Sequence, residues 1–226
     1  MRHVPYREAI GSLMYASVGT RPDISFAVST LSQFIDNPGH THWEAVKRIF
    51  QYLLGTKDLQ LTFGGGKYGL EGYTDADGAS QEHRHTISGY AFIINGGAVS
   101  WSSHKQELVT LSTAEAKYVT TTHATKEAIW LRNFIGEVFS PLMEPTTLHC
   151  NNQSAITIAT NRNYHARMKH IDICYHFIRF VIDNGSLKLI YCPTNNMTAD
   201  TLTKALPSPK AKHFTAALGL RTPTSN

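Results

Sequence analysis

Residues 87–103 read ISGYAFIINGGAVSWSS: two runs rich in apolar, β-branched and aromatic residues, split by Asn95-Gly96-Gly97. Asn-Gly supplies the positive backbone angles of a tight hairpin turn, so the stretch predicts two antiparallel strands. Upstream, GLEGYTD (69–75) reads as a strand that precedes this hairpin, and GGGK (64–67) breaks the chain before it. Downstream, Ala128, Leu131, Ile135 and Val138 lie on one face of a long helix from about Thr113 to Phe139. TTLHC (146–150) is a fourth strand, followed by a short helix from Gln153. Residues 164–183 form a helix with Ile171, Tyr175, Ile178 and Ile182 as its stripe, stopped by Asn184-Gly185. LKLIYC (187–192) is a fifth strand and TADTLTKAL (198–206) a closing short helix. The order βββ-α-β-α-α-β-α predicts a mixed five-stranded α/β sheet flanked by helices.

This domain is placed at 67–206, with a C-terminal helix and tail over 207–226 whose last residues, RTPTSN, read as frayed. Residues 1–66 read as mainly helical. PDISFAVSTLSQF puts Ile24, Ala27, Val28, Leu31 and Phe34 on one face, with Pro22 near its start. THWEAVKRIFQYLLGT has Thr41 and Glu44 at capping-box spacing, then Val46, Ile49, Phe50 and Leu53, and stops at Gly55.

Composition narrows the class. The chain has 226 residues, 42% hydrophobic and 17% charged, which suits a folded core rather than disorder. A net charge of +4 permits an anionic partner without requiring one. Cys150, Cys174 and Cys192 form no CxxC pair, so neither a disulfide framework nor a zinc site is expected. The start, MRHVPYREAIG, lacks an apolar signal core. No apolar run approaches the ~18 residues of a membrane helix, so the expected setting is cytosol or nucleus, with no membrane partner.

Acidic residues are sparse, 17 Asp plus Glu, and several fall at the ends of elements. Asp75 ends the first strand, with Asp77 two residues on; Glu115 opens the long helix; Asp200 opens the last short helix. In the stretch LHCNNQSAI, the polar residue ending the fourth strand is an amide, Asn151. Clustered carboxylates at one sheet edge suit Mg²⁺, and two such ions serve in-line phosphoryl transfer. Each residue also has a plainer reading. Asp75 and Asp77 suit a turn, Glu115 completes a capping box with Ser112, and Asp200 faces a helix dipole.

The motifs GYTDADGAS, RHTISGYAF, GGAVSWSSHKQ, LSTAEAKYV, KEAIWLR, CNNQSAI, HARMKHIDICYHFIR, YCPTNNMTADTLTKAL and LGL resemble the ribonuclease H domain of copia-type LTR retrotransposon polyproteins. The N-terminal part, from PYREAIGSLMYASVGTRPDISF to LLGTKDLQL, is similar to the connection segment after the polymerase palm in that family. Polymerase and integrase motifs are missing, which points to a fragment of such a polyprotein or a gene derived from one. The resemblance implies an RNase H-like fold and cleavage of the RNA strand of RNA–DNA hybrids by four carboxylates and two Mg²⁺ ions. The first carboxylate matches Asp75, the second Glu115 and the last Asp200; the remaining position holds Asn151.

An amide offers one oxygen and no charge, so the expectation is a weakened metal site and impaired hydrolysis. The alternative is an inactive domesticated derivative that binds nucleic acid or a protein. Other departures from the family pattern are Gly78 for Trp, His104 for Lys, Lys117 for Glu and Cys174 for Arg, none at a catalytic position. On helix 164–183, His165, Lys169, Asp172, His176 and Arg179 form a second stripe, joined by Arg162, Arg167 and His170. It reads either as a solvated face or as a surface that follows nucleic-acid phosphates. Trp101 and Trp130 sit in apolar patterns and are expected in the core.

Overall fold

The structure, a computed structural model, describes residues 1, 4–66, 68–77, 86–106, 112–160 and 172–223. Helices α1 (Tyr6–Gly19), α2 (Ser25–Ser32) and α3 (His40–Gly55) open the chain. They close on a core that includes Ile10, Leu13, Val28, Val46 and Ile49. Two polar clusters fix their angles. The Tyr6 hydroxyl donates to the Leu31 carbonyl at 2.8 Å. The Arg21 guanidinium forks onto Asp23 at 2.9 and 2.7 Å, and Tyr52 donates to the same carboxylate at 2.6 Å. The start of α3 differs from the capping box expected at Thr41. Gly39 is the N-cap, and its N–H donates to His42 Nδ1 at 2.9 Å. Glu44 instead pairs with Lys47 at 2.6 Å. Phe50, expected on the apolar face, is exposed.

After the short strand β1 (Gln60–Leu61) come β2 (Leu70–Asp77), β3 (Ile87–Ile94) and β4 (Gly97–Lys105), an antiparallel meander. Helix α4 (Thr113–Val138) crosses to β5 (Thr146–Cys150), and α5 (Gln153–Thr160) and α6 (Asp172–Asp183) lead to β6 (Leu187–Tyr191). The five-stranded sheet has the order β4-β3-β2-β5-β6, with β5 and β6 parallel to β2. Leu70, Phe92 and Leu148 from the sheet pack on Ala124, Ala128 and Leu131 of α4 and Val181 of α6. This is the mixed α/β sheet that the pattern of strands and helices predicts.

The long helix is unusually rich in threonine for a buried element. Thr120, Thr121, Thr122 and Thr125 each donate to the carbonyl four residues back, which satisfies hydroxyls that would otherwise be stranded. Its outer end departs from expectation. Val138 is exposed, and Trp130, expected in the core, is 57% exposed and stacked on Phe134. Trp101 is half-buried, its indole N–H donating 2.8 Å to the Ser17 carbonyl of α1.

The closing segment TADTLTKAL is not an α-helix but a 3₁₀ turn over Thr198–Leu202. Helix α7 (Ser208–Ala217) follows, then β7 (Leu220–Arg221), which pairs antiparallel with β1. Arg221, expected in a frayed tail, is thus part of a strand. Gly219 makes this return possible. Its φ is +90°, and a Cβ there would lie 2.7 Å from the Gly96 carbonyl oxygen and from Gly97 Cα.

Candidate active site

Strand register builds the site. Thr74 of β2 lies opposite Cys150 of β5, so Asp75, which does not end its strand as expected but lies two residues inside it, emerges beside Asn151, the first residue past β5. The three amides of LHCNNQSAI then divide their work. Asn151 turns into the site, Asn152 Oδ1 accepts from the Ala155 N–H at 2.9 Å, and Gln153 begins α5. Opposite Asp75 on β3 is Gly89, where a Cβ would meet Thr203 Cγ2 at 2.7 Å and Leu202 Cβ at 2.8 Å. The missing side chain lets the 3₁₀ turn press onto the sheet. That contact brings Thr203 Oγ1 within 2.8 Å of Asp75 Oδ2 and buries Asp200 completely, at 0% exposure.

Glu115 is buried in the first turn of α4, where its N–H donates to the Ser112 hydroxyl at 3.2 Å. The helix start is tied to the sheet by Gln106, whose amide donates to Ser88 Oγ at 2.8 Å and to the Ala116 carbonyl at 2.9 Å. From the same turn Lys117 reaches inward. Its ammonium lies 2.6 Å from Asp75 Oδ1 and also donates to Asn151 Oδ1. The Asn151 amide nitrogen donates to that same Asp75 oxygen at 3.0 Å. Lys204 sits 3.4 Å from Asp75 Oδ2 and 3.1 Å from Asp200 Oδ1, and Lys210 sits 3.0 Å from Asp200 Oδ2. Lys117, which sequence comparison placed outside the site, belongs to its centre.

The electrostatics follow from these contacts. Burial opposes ionisation of Asp75, but Lys117, Lys204 and the Thr203 hydroxyl outweigh it and hold its carboxyl well below the usual carboxylate range. Asp200 is pushed the other way, by burial and then by the charge of Asp75, against the pull of Lys210 and Lys204. Burial works against the Lys204 ammonium, yet its two carboxylate neighbours raise it overall.

Mg²⁺ requires carboxylate oxygens that are free to coordinate. Here both Asp75 oxygens and both Asp200 oxygens already face ammonium groups. Among the described residues no three His, Cys, Asp or Glu side chains gather closely enough to hold a metal ion. The donor set does not fit the two-ion centre that the sequence pattern implies.

Of the residues expected to track phosphates, Arg167, Lys169 and His170 lie outside the described residues. His176 is exposed on α6, and Arg179 is half-buried, its guanidinium donating to the Ile158 carbonyl of α5 at 3.5 Å. Among the described residues no helix is long and apolar enough to cross a membrane.

No protein-family model matches the chain. It is 50% identical over 211 residues, 93% of its length, to the retrovirus-related Pol polyprotein from transposon TNT 1-94 of Nicotiana tabacum. It spans 16% of that polyprotein. A secreted RxLR effector protein 161 from Plasmopara viticola is 49% identical over 133 residues, 58% of this chain and 94% of the effector. Among solved structures, a foamy viral protease-reverse transcriptase in complex with RNA/DNA hybrid superposes with a TM-score of 0.55 at 12% identity, over 84% of this chain and 24% of that one. The five-stranded domain has the RNase H-like fold. The chain belongs to the copia-type, retrovirus-related Pol polyproteins, one segment of which it matches over nearly its whole length.

Proposed function

We propose that this chain is a ribonuclease H-type module that holds RNA–DNA hybrid and no longer hydrolyses it. The observation that carries the reading is the Lys117–Asp75–Asn151 cluster, a carboxylate edge in which an amide and an ammonium stand around the central Asp. Two-metal hydrolysis needs a strongly anionic cradle that neutralises only when the ions enter. Here the charge of Asp75 is already met from within the chain. The fold and the polyprotein relationship support hybrid as the ligand class. Its phosphates are assigned, on sequence pattern, to the basic residues Arg167, Lys169, His170, His176 and Arg179.

Fluorescence anisotropy with a labelled hybrid tests the binding half in EDTA. Affinity falls steeply with salt, and Lys169→Ala and Arg179→Ala each lower the logarithmic salt slope by about 1. Binding that ignores salt, or that is no tighter for hybrid than for a neutral polymer, contradicts the reading.

A further inference from the structure

We infer that Lys117 is a built-in counter-ion: its ammonium, bridging Asp75 and Asn151, completes the site without metal and bars a divalent cation even when Asn151 alone is restored to a carboxylate. This rests on the ribonuclease H-type reading of the cleft and states how its chemistry has been replaced.

The geometry is specific. Asn151 acts on both partners at once, accepting from Lys117 and donating to Asp75, while Lys117 donates to Asp75 at 2.6 Å. The three groups close a triangle in which every contact joins a donor to an acceptor. An Asp at 151 could not donate to Asp75, but it would still accept from Lys117. The lysine would then be shared between two carboxylates and be held more firmly. Restoring the carboxylate therefore tightens the clamp rather than opening the site.

Charge agrees with geometry. Asp75 and Asp200 are the carboxylates that these contacts join, and Lys117, Lys204 and Lys210 are the ammonium groups drawn to them. Three ammonium groups face these two carboxylates, so an entering dication meets oxygens whose charge is already matched. The Lys117 side chain is only 15% exposed, which places its charge inside the cleft rather than in solvent. A dication at Asp75 must expel a tethered cation that cannot diffuse away.

The test is isothermal titration calorimetry with Mn²⁺ and Mg²⁺ and no nucleic acid. The proteins are the wild type, Asn151→Asp, and the double variant Asn151→Asp/Lys117→Gln, with thermal melting of each. Wild type and Asn151→Asp show no saturable metal binding at this site, and EDTA leaves the wild-type melting temperature unchanged. Asn151→Asp melts higher than wild type. The double variant binds Mn²⁺ at least ~10–100-fold more tightly than Asn151→Asp. Saturable binding by the wild type that Asp75→Asn abolishes overturns the inference. So does Asn151→Asp binding as tightly as the double variant, or a folded double variant that binds no metal. Should the double variant not fold, the wild type and Asn151→Asp still decide: saturable binding in either overturns the inference, and its absence in both with a raised melting temperature for Asn151→Asp supports it. A failure here leaves hybrid binding untouched, whereas absent hybrid binding sinks the module reading without altering the calorimetry.

Discussion

Asp75 is the residue around which the site is organised, and its partners are unequal. Thr203 donates a hydrogen bond to one oxygen at 2.8 Å, while Lys117 holds the other at 2.6 Å. Replacing Lys117 with Met removes the nearer ammonium from a buried carboxylate. Breaking a buried ion pair costs about 3–5 kcal/mol. Lys204 remains on the second oxygen, so the expected loss for Lys117→Met in a denaturant melt is about 2–3 kcal/mol. Thr203→Val removes one hydrogen bond to a charged group and is expected to cost about 1.5–3 kcal/mol. At this scale the sequence was only half legible. Asp75, Asn151 and Asp200 stand out because the sequence pattern puts each at an element's end, although Asp75 lies inside β2 and Asp200 in the middle of the 3₁₀ turn. Lys117 does not: it lies two positions from Glu115, roughly 200° around a helix, and so reads as facing away. A lysine side chain is long enough to cancel that offset, and spacing alone says nothing about where its ammonium ends.

Elements carry the site by close approach. The β3 strand and the 3₁₀ turn touch only because position 89 has no side chain. Gly89→Ala forces atoms into contact at 2.7–2.8 Å, so the turn must lift from the sheet. The expected cost is about 1–3 kcal/mol, of the size seen for overpacked cores. Hydrogen exchange should show the protection loss concentrated in residues 198–204 rather than spread through the sheet, and a uniform loss would argue against this account. The hairpin, the meander and the parallel pair were readable because strand alternation and Asn-Gly turn chemistry are local signals. The 3₁₀ form of TADTLTKAL was not readable, since its tightness comes from packing against Gly89. Trp130 was misjudged for a related reason. A helical apolar stripe shows which residues share a face, not whether another element covers it.

At the scale of the whole molecule, the N-terminal helices and the sheet domain are joined by β1 with β7 and by Trp101 on α1. These contacts close over long sequence separations, which is why the role of the terminal Leu-Gly-Leu could not be read locally. Partly covered tyrosines are found in both parts, Tyr73 and Tyr90 half-buried and Tyr52 more exposed. Partial desolvation, helped by nearby carboxylates, pushes Tyr52 of α3, Tyr73 of β2 and Tyr90 of β3 each up to about 12. An unfolded tyrosine ionises near 10. Below that value the folded and unfolded states bind the same protons, and stability is unaffected. As pH rises from about 10 through about 12, the unfolded state loses protons that the folded state keeps, so stability falls. Thermal melts across that window should show the decline in both parts together, and Tyr52→Phe should lessen it.

Whether this protein cuts hybrid is the most direct question the site at Asp75 poses. The measurement is cleavage of an end-labelled RNA strand paired with DNA, in excess Mg²⁺, by the purified wild type beside an Asp75→Asn control. The prediction is that the wild type binds the hybrid, yet its cleavage does not rise above that of the control. Mg²⁺-dependent cleavage by the wild type that Asp75→Asn abolishes would show that the amide and the ammonium around Asp75 leave a working nuclease, and would contradict it.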